Sequence, residues 1–129
     1  MPACLVCSHK VGVTSKGLSR RAVMYHAVVG ILNDVASQIE GSVDLSASPS
    51  DGLTEFTNED VVTKLREVAE EGRQAADAVH HAAHREGGAL DFQQLHAWQE
   101  EARISMIIGH TALMSVGIRP MHDIPSFQR

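Results

Sequence analysis

The sequence predicts an all-α protein, a bundle of three principal helices with a short extended N-terminal segment, assembled as an oligomer through its third helix. Three observations carry this reading. Apolar residues recur at helical spacing over three long stretches, each stretch is bracketed by capping or stop residues, and the third is apolar on nearly every side. The chain has 129 residues, 43% hydrophobic and 21% charged, with 2 Cys. That length suits one domain around a single core, and the composition excludes a disordered, collagen-like or disulfide-stapled chain.

Residues 1–17 read as the extended segment, with a short strand pair expected within Ala3 to Val13. The segment has no basic leader followed by an apolar block, so a cytoplasmic location is expected. Cys4 and Cys7 form one Cys-x-x-Cys, which admits three readings: two small apolar residues, a zinc half-site, or a redox pair. A structural zinc site takes four ligands, and with no second cysteine pair His9 or a distant histidine has to complete it.

The first helix is predicted over 18–41, with Ser19 as N-cap and Gly41 at its end. Met24, Val28, Ile31, Leu32, Val35 and Ile39 fall on one side of the wheel, while His26, Asn33, Asp34 and Ser37 fall on the other. Residues 42–56 are rich in Ser and carry Pro49 and Asp51-Gly52, the composition of a loop.

The second helix is predicted over 57–86, opened by Thr57 with Asp60 at the capping-box position and stopped by Gly87-Gly88. Its inner stripe is Val61, Leu65, Val68, Gly72, Ala75, Ala76, Val79 and Ala83. The stripe becomes small-sided along its length, so a neighbour can approach closely and this helix is expected at the centre.

The third helix is predicted over 91–117, with Asp91 and Gln94 at its start and Gly117 at its stop. Leu95, Trp98, Ala102, Met106, Gly109, Leu113 and Val116 form the main stripe. A further apolar set, Ile104, Ile107, Ile108 and Met114, lies on other sides. Three helices of one small chain hardly surround such a helix, so these four residues are the expected interface of a homo-oligomer. Residues 118–129 contain Pro120 and Pro125 and are expected to be an ordered non-helical tail, packed on this chain or a partner. The apolar run from Ile104 to Ile118 includes Ser105, His110, Thr111 and Ser115, too short and too polar for a membrane span.

The charge is uneven. The net charge is −5, and residues 55–103 hold 11 acids against 5 bases, while Lys10, Lys16, Arg20 and Arg21 gather ahead of and in the first helix. This balance disfavours nucleic acid as a partner, leaves a local anion contact at the basic end, and suits docking of the acidic helices on a basic protein surface.

Eight histidines are present. His80 and His84 are i, i+4 on the second helix, the spacing that lets two imidazoles share a metal, and Asp77 precedes them on the same edge. His96 or His110 of the third helix, or a symmetry-related copy, is the expected source of further ligands. The expected cofactor of such a site is a divalent transition metal, Zn, Fe, Ni or Cu. The other reading is that these histidines are solvated or bonded to backbone.

A carboxylate set offers another chemistry. Glu67, Glu70 and Glu71 lie on the second helix and Glu100 and Glu101 on the third. Carboxylates at such spacing on adjacent helices can hold Mg²⁺ and so a nucleoside triphosphate. Glu67-Val68-Ala69-Glu70-Glu71, followed by Ile107-Ile108-Gly109-His110-Thr111-Ala112-Leu113, resembles the all-α nucleoside triphosphate pyrophosphohydrolases (MazG-like) over about half of the chain. The resemblance implies a Mg²⁺-dependent pyrophosphohydrolase-like protein using Glu67, Glu70, Glu71 and Glu100. Arg103 stands where the family's second element, ExxD, has its aspartate, so the site is degenerate. No GxGxxG, GxxxxGK[ST] or GxSxG occurs, which removes dinucleotide, P-loop and esterase readings. A small acidic binding protein working as a homo-oligomer is the leading expectation, ahead of the metal and nucleotide readings.

Overall fold

The structure, a computed structural model, describes residues 16–49, 56–84 and 90–127, apart from the side chains of 16–19, 83 and 84. Three helices form, α1 (Lys16–Ser42), α2 (Asn58–His84) and α3 (Phe92–Met114). They pack together, and there is no strand among the described residues. The expected strand pair within Ala3 to Val13 and the Cys4/Cys7 motif lie outside those residues. No helix among the described residues is long and apolar enough to cross a membrane.

The helix ends follow from local chemistry. α1 already starts at Lys16, so Ser19 sits inside its first turn instead of capping it. Leu18, Arg20 and Arg21 have good helix propensity, which favours the earlier start. At the start of α2 the capping box forms. The Asp60 carboxylate accepts from the Thr57 backbone N–H at 2.8 Å, and the Asp60 N–H donates to the Thr57 hydroxyl at 3.3 Å. The preceding turn completes the cap, since the Asn58 and Glu59 N–H groups donate to the carbonyls of Ala47 and Leu45 at 2.7 and 3.0 Å. Asp44 fixes that turn by accepting from the Ser46 N–H and hydroxyl at 3.0 and 2.7 Å, which holds its carboxyl below the usual range.

At α3 the expected cap is present, with Asp91 accepting from the Gln94 N–H at 3.2 Å. The other end closes in a Schellman motif. Gly117 takes φ +78°, its N–H donates to Met114 and the Ile118 N–H donates to Leu113, both at 3.0 Å. The last turn therefore leaves the regular helix before 117. Val116, expected on the buried stripe, is 54% exposed because it lies in this turn.

α2 runs antiparallel to both neighbours and is central, because its small residues admit them. A Cβ on Gly72 would stand 2.2 Å from Cζ2 of Trp98 and 2.8 Å from Cγ2 of Val29. The indole lies over this glycine and donates its Nε1–H to the Val68 carbonyl at 2.9 Å. Gly109 of α3 makes the matching approach, since a Cβ there would meet Val35 Cγ1 at 2.8 Å and Leu65 Cδ1 at 3.2 Å. Tyr25, Leu32, Ile39, Leu65, Met106 and Leu113 fill the space between the helices with essentially no exposure.

The segment after α3 runs back along α1. The Gln38 side-chain amide donates to the Arg119 carbonyl and accepts from the Met121 N–H, at 2.8 and 3.1 Å. His122 meets Asp34 at 2.8 Å, and Phe127 packs its ring edge-on against Tyr25 and Trp98, with centroids 6.4 and 6.0 Å apart. The tail thus packs on its own chain.

Two alanine substitutions test the close approach. At exposed Gly30 nothing lies within 4 Å of a new Cβ. Gly30→Ala should therefore stabilise the chain by up to about 1 kcal/mol in chemical denaturation, the helix-propensity gain. Gly72→Ala gains the same propensity and must displace Trp98, so it should be net destabilising by about 1–3 kcal/mol and shift the tryptophan emission. Equal effects at the two sites would contradict the packing.

Candidate functional site

The expected metal ligands do not gather among the described residues. Asp77 accepts from Arg73 Nη1 at 3.0 Å, and the same guanidinium holds Glu70 at 2.6 Å, so Asp77 belongs to a helix-surface ion-pair ladder. His80 is partly buried with its ring 6.3 Å from that of His81, and the side chain of His84 lies outside the described residues. On α3, exposed His96 and partly buried His110 are fourteen residues apart. At a helical rise of 1.5 Å per residue that is about 21 Å, too far for one ion in one chain. No group of three His, Cys, Asp or Glu suited to a metal occurs among the described residues. His110 has a buried Nε2 with no hydrogen-bond partner, and burial holds its pKa below the ordinary value against the opposing charge of Asp123.

The carboxylates sort into two groups. Glu70 is engaged by Arg73 and Glu100 by Arg103, and these contacts lower both carboxyl pKa values. Glu71 instead lies beside Glu101 across the gap between α2 and α3. Lys64 also reaches Glu101, at 2.6 Å. Burial, then the charge of Glu101, raises the Glu71 pKa. Of the three expected carboxylates on α2, Glu71 is the one beside an α3 carboxylate, and that neighbour is Glu101 and not Glu100. The sequence held a signal for this: on the wheel Glu101 falls beside the Trp98 and Ala102 stripe, whereas Glu100 falls away from it.

Two concave surfaces border α3. One, of about 730 Å³, lies between α2 and the N-terminal half of α3, walled by Glu71, Gln74, Ala78, Leu95, Trp98 and Glu101. The other, about 160 Å³, is lined by Phe56, Val61, Ser105 and Ile108, with Asp60 and Lys64 at its rim. Beside the smaller one runs the outward face of α3. Ile104, Ile107 and Met114 are 46%, 40% and 62% exposed, in a strip directly opposite the buried stripe. Ile108, expected with them, is partly buried against the core.

No protein-family model, curated protein or solved structure matches the chain.

The Glu71 proton gives a signed pH prediction. The folded chain holds this proton more tightly than the unfolded chain, so its contribution to stability is present below the unfolded pKa and is lost as pH rises through the folded value. Glu71→Gln should therefore raise Tm at pH 8, with the gain shrinking toward zero at pH 4. A change in Tm independent of pH would contradict the carboxyl pairing.

Proposed function

We propose that this chain is a small helical interaction module that works as a homo-oligomer through the outward face of α3. The observation that carries the reading is the strip of Ile104, Ile107 and Met114, exposed on the side of α3 opposite the core. Isolated exposed apolar residues are ordinary, but three aligned on one face of one helix make a continuous surface whose burial is favourable. Thr111, between Ile107 and Met114 on the same face, donates its hydroxyl to the Ile107 carbonyl at 2.9 Å. Its polar group is thus satisfied inside the helix, and it offers a methyl group to a neighbour. The fixed ends of α3, the Asp91 cap and the Gly117 turn, hold the strip on a rigid element, which limits the entropy lost on association.

The other two readings have less behind them. Asp77 and Glu70 are engaged by Arg73, and Glu100 by Arg103. The partner expected is a second copy of the chain.

Sedimentation velocity tests this. The wild type should sediment at a multiple of the 14.0 kDa chain mass, and Ile104→Glu/Ile107→Glu should sediment as the single chain with its helical circular dichroism intact. A wild type that stays at the single-chain mass up to about 100 µM, a weak-affinity regime, would overturn the proposal.

A further inference from the structure

The outward strip of α3 has a spacing and a direction. Ile104, Ile107, Thr111 and Met114 follow one another at intervals of three, four and three residues, the a/d spacing with which one helix packs along another. All four are exposed. One turn before Ile104 the same line carries Glu100, exposed and engaged by Arg103 within the helix. Past Met114 the helix closes at the Gly117 turn, and Arg119 follows, its side chain exposed and its carbonyl held by Gln38. From 104 to 118 the sequence has no Asp, Glu, Lys or Arg. The strip is therefore an apolar seam with a carboxylate before its N-terminal end and a guanidinium after its C-terminal end.

Resting on the self-association proposed above, we propose that two copies pair antiparallel along this seam, as a closed dimer whose two-fold axis passes at the height of Gly109. In an antiparallel helix pair a-type positions meet d-type positions, so Ile104 packs on the partner's Met114 and Ile107 on the partner's Thr111. Both pairings are symmetric about position 109, so one register satisfies them together. The same register carries Glu100 to the level of residue 118, next to the partner's Arg119, and it does so at both ends of the interface. A parallel pair sets Glu100 on its own copy in the seam and Arg119 on its own copy beyond it, like charge against like. It also aligns the two helix dipoles, which antiparallel packing opposes. The chain carries a net charge of −5, so two copies repel as whole bodies, and complementary ends on an uncharged seam oppose that repulsion. An interface that uses the same patch on both copies closes at two chains. Glu100 and Met114 are fourteen residues apart, about 21 Å at helical rise, so a Glu100–Arg119 bond forms between chains and not within one.

Charge exchange at the two ends tests the direction. In sedimentation velocity at low ionic strength, where exposed pairs are least screened, Glu100→Arg and Arg119→Glu should each weaken the dimer about fivefold. Glu100→Arg/Arg119→Glu should return it to within about twofold of the wild type, with helical circular dichroism unchanged in all three. Cross-linking checks the register independently in a Cys4→Ser/Cys7→Ser background, with copper phenanthroline as oxidant. Ile104→Cys mixed with Met114→Cys should give a disulfide-linked pair containing one chain of each, and neither variant alone should cross-link comparably. A wild type that stays at the single-chain mass would overturn the self-association and this pairing with it. A dimer in which the double exchange is no better than the single ones, or in which Ile104→Cys links to itself, would keep the self-association and overturn the antiparallel pairing. A mass above two chains would overturn the closed dimer.

Discussion

The contact between Trp98 and the bare backbone of Gly72 is the constraint on which the rest of the chain depends. A Cβ at position 72 is sterically incompatible with the indole, and the Nε1–H bond to Val68 sets how far the ring slides along α2. A buried tryptophan needs a partner for its N–H, and a helix carbonyl beside a glycine is one of the few acceptors it can reach. The bond therefore fixes both the rotation and the height of α3. Tyr25 packs on the same ring at 4.8 Å between centroids, and Gln99 donates to the Tyr25 hydroxyl, so α1 is tied to the same point. Phe127 of the tail closes the cluster from outside.

Once α3 is set this way, its surfaces follow. Gly109 comes to rest on Val35 and Leu65, and the side facing away from them carries Ile104, Ile107 and Met114. Glu101, one position on from the residues around Trp98, is brought opposite Glu71, while Glu100 turns to its own helix neighbour Arg103. The tail occupies the α1 side through Gln38, Asp34 and the aromatic cluster. Among the described residues the tail stays off the outward face of α3, where the proposed self-association resides. Surface ion pairs such as Lys64–Glu101 and Arg66–Glu40 join the helices and add little to stability, so apolar packing carries the assembly.

Much of this was legible in the residues because it rests on local rules. The capping box at Thr57, the cap at Asp91, the stop at Gly117, and the small-sided stripe of α2 depend on neighbours within one or two turns. What local rules do not contain is the identity of a partner across the bundle. The pattern of Gly72, Ala75 and Ala76 announces a close approach without saying that Trp98 makes it. Glu100 and Glu101 are neighbours in the sequence, and only the rotation of α3 decides that Glu101 is the one beside Glu71. Helical spacing puts Asp77 on one edge with His80 and His84, and it also puts Arg73 four residues before Asp77, where the guanidinium engages the carboxylate. Val116 shows the limit of extending a period through a helix end.

The most direct test of this account is the hydrogen-exchange rate of the Trp98 indole Nε1–H, read by NMR as the signal of the only tryptophan. If that N–H is locked onto the Val68 carbonyl at the α2–α3 contact, it exchanges only when the bundle unfolds, at the rate of the best-protected core amides such as those of Leu65 and Val68. Exchange at the rate of a free indole while those amides stay protected would show that α3 is not held by Trp98, and the placement of its outward face and of the groove would fall with it.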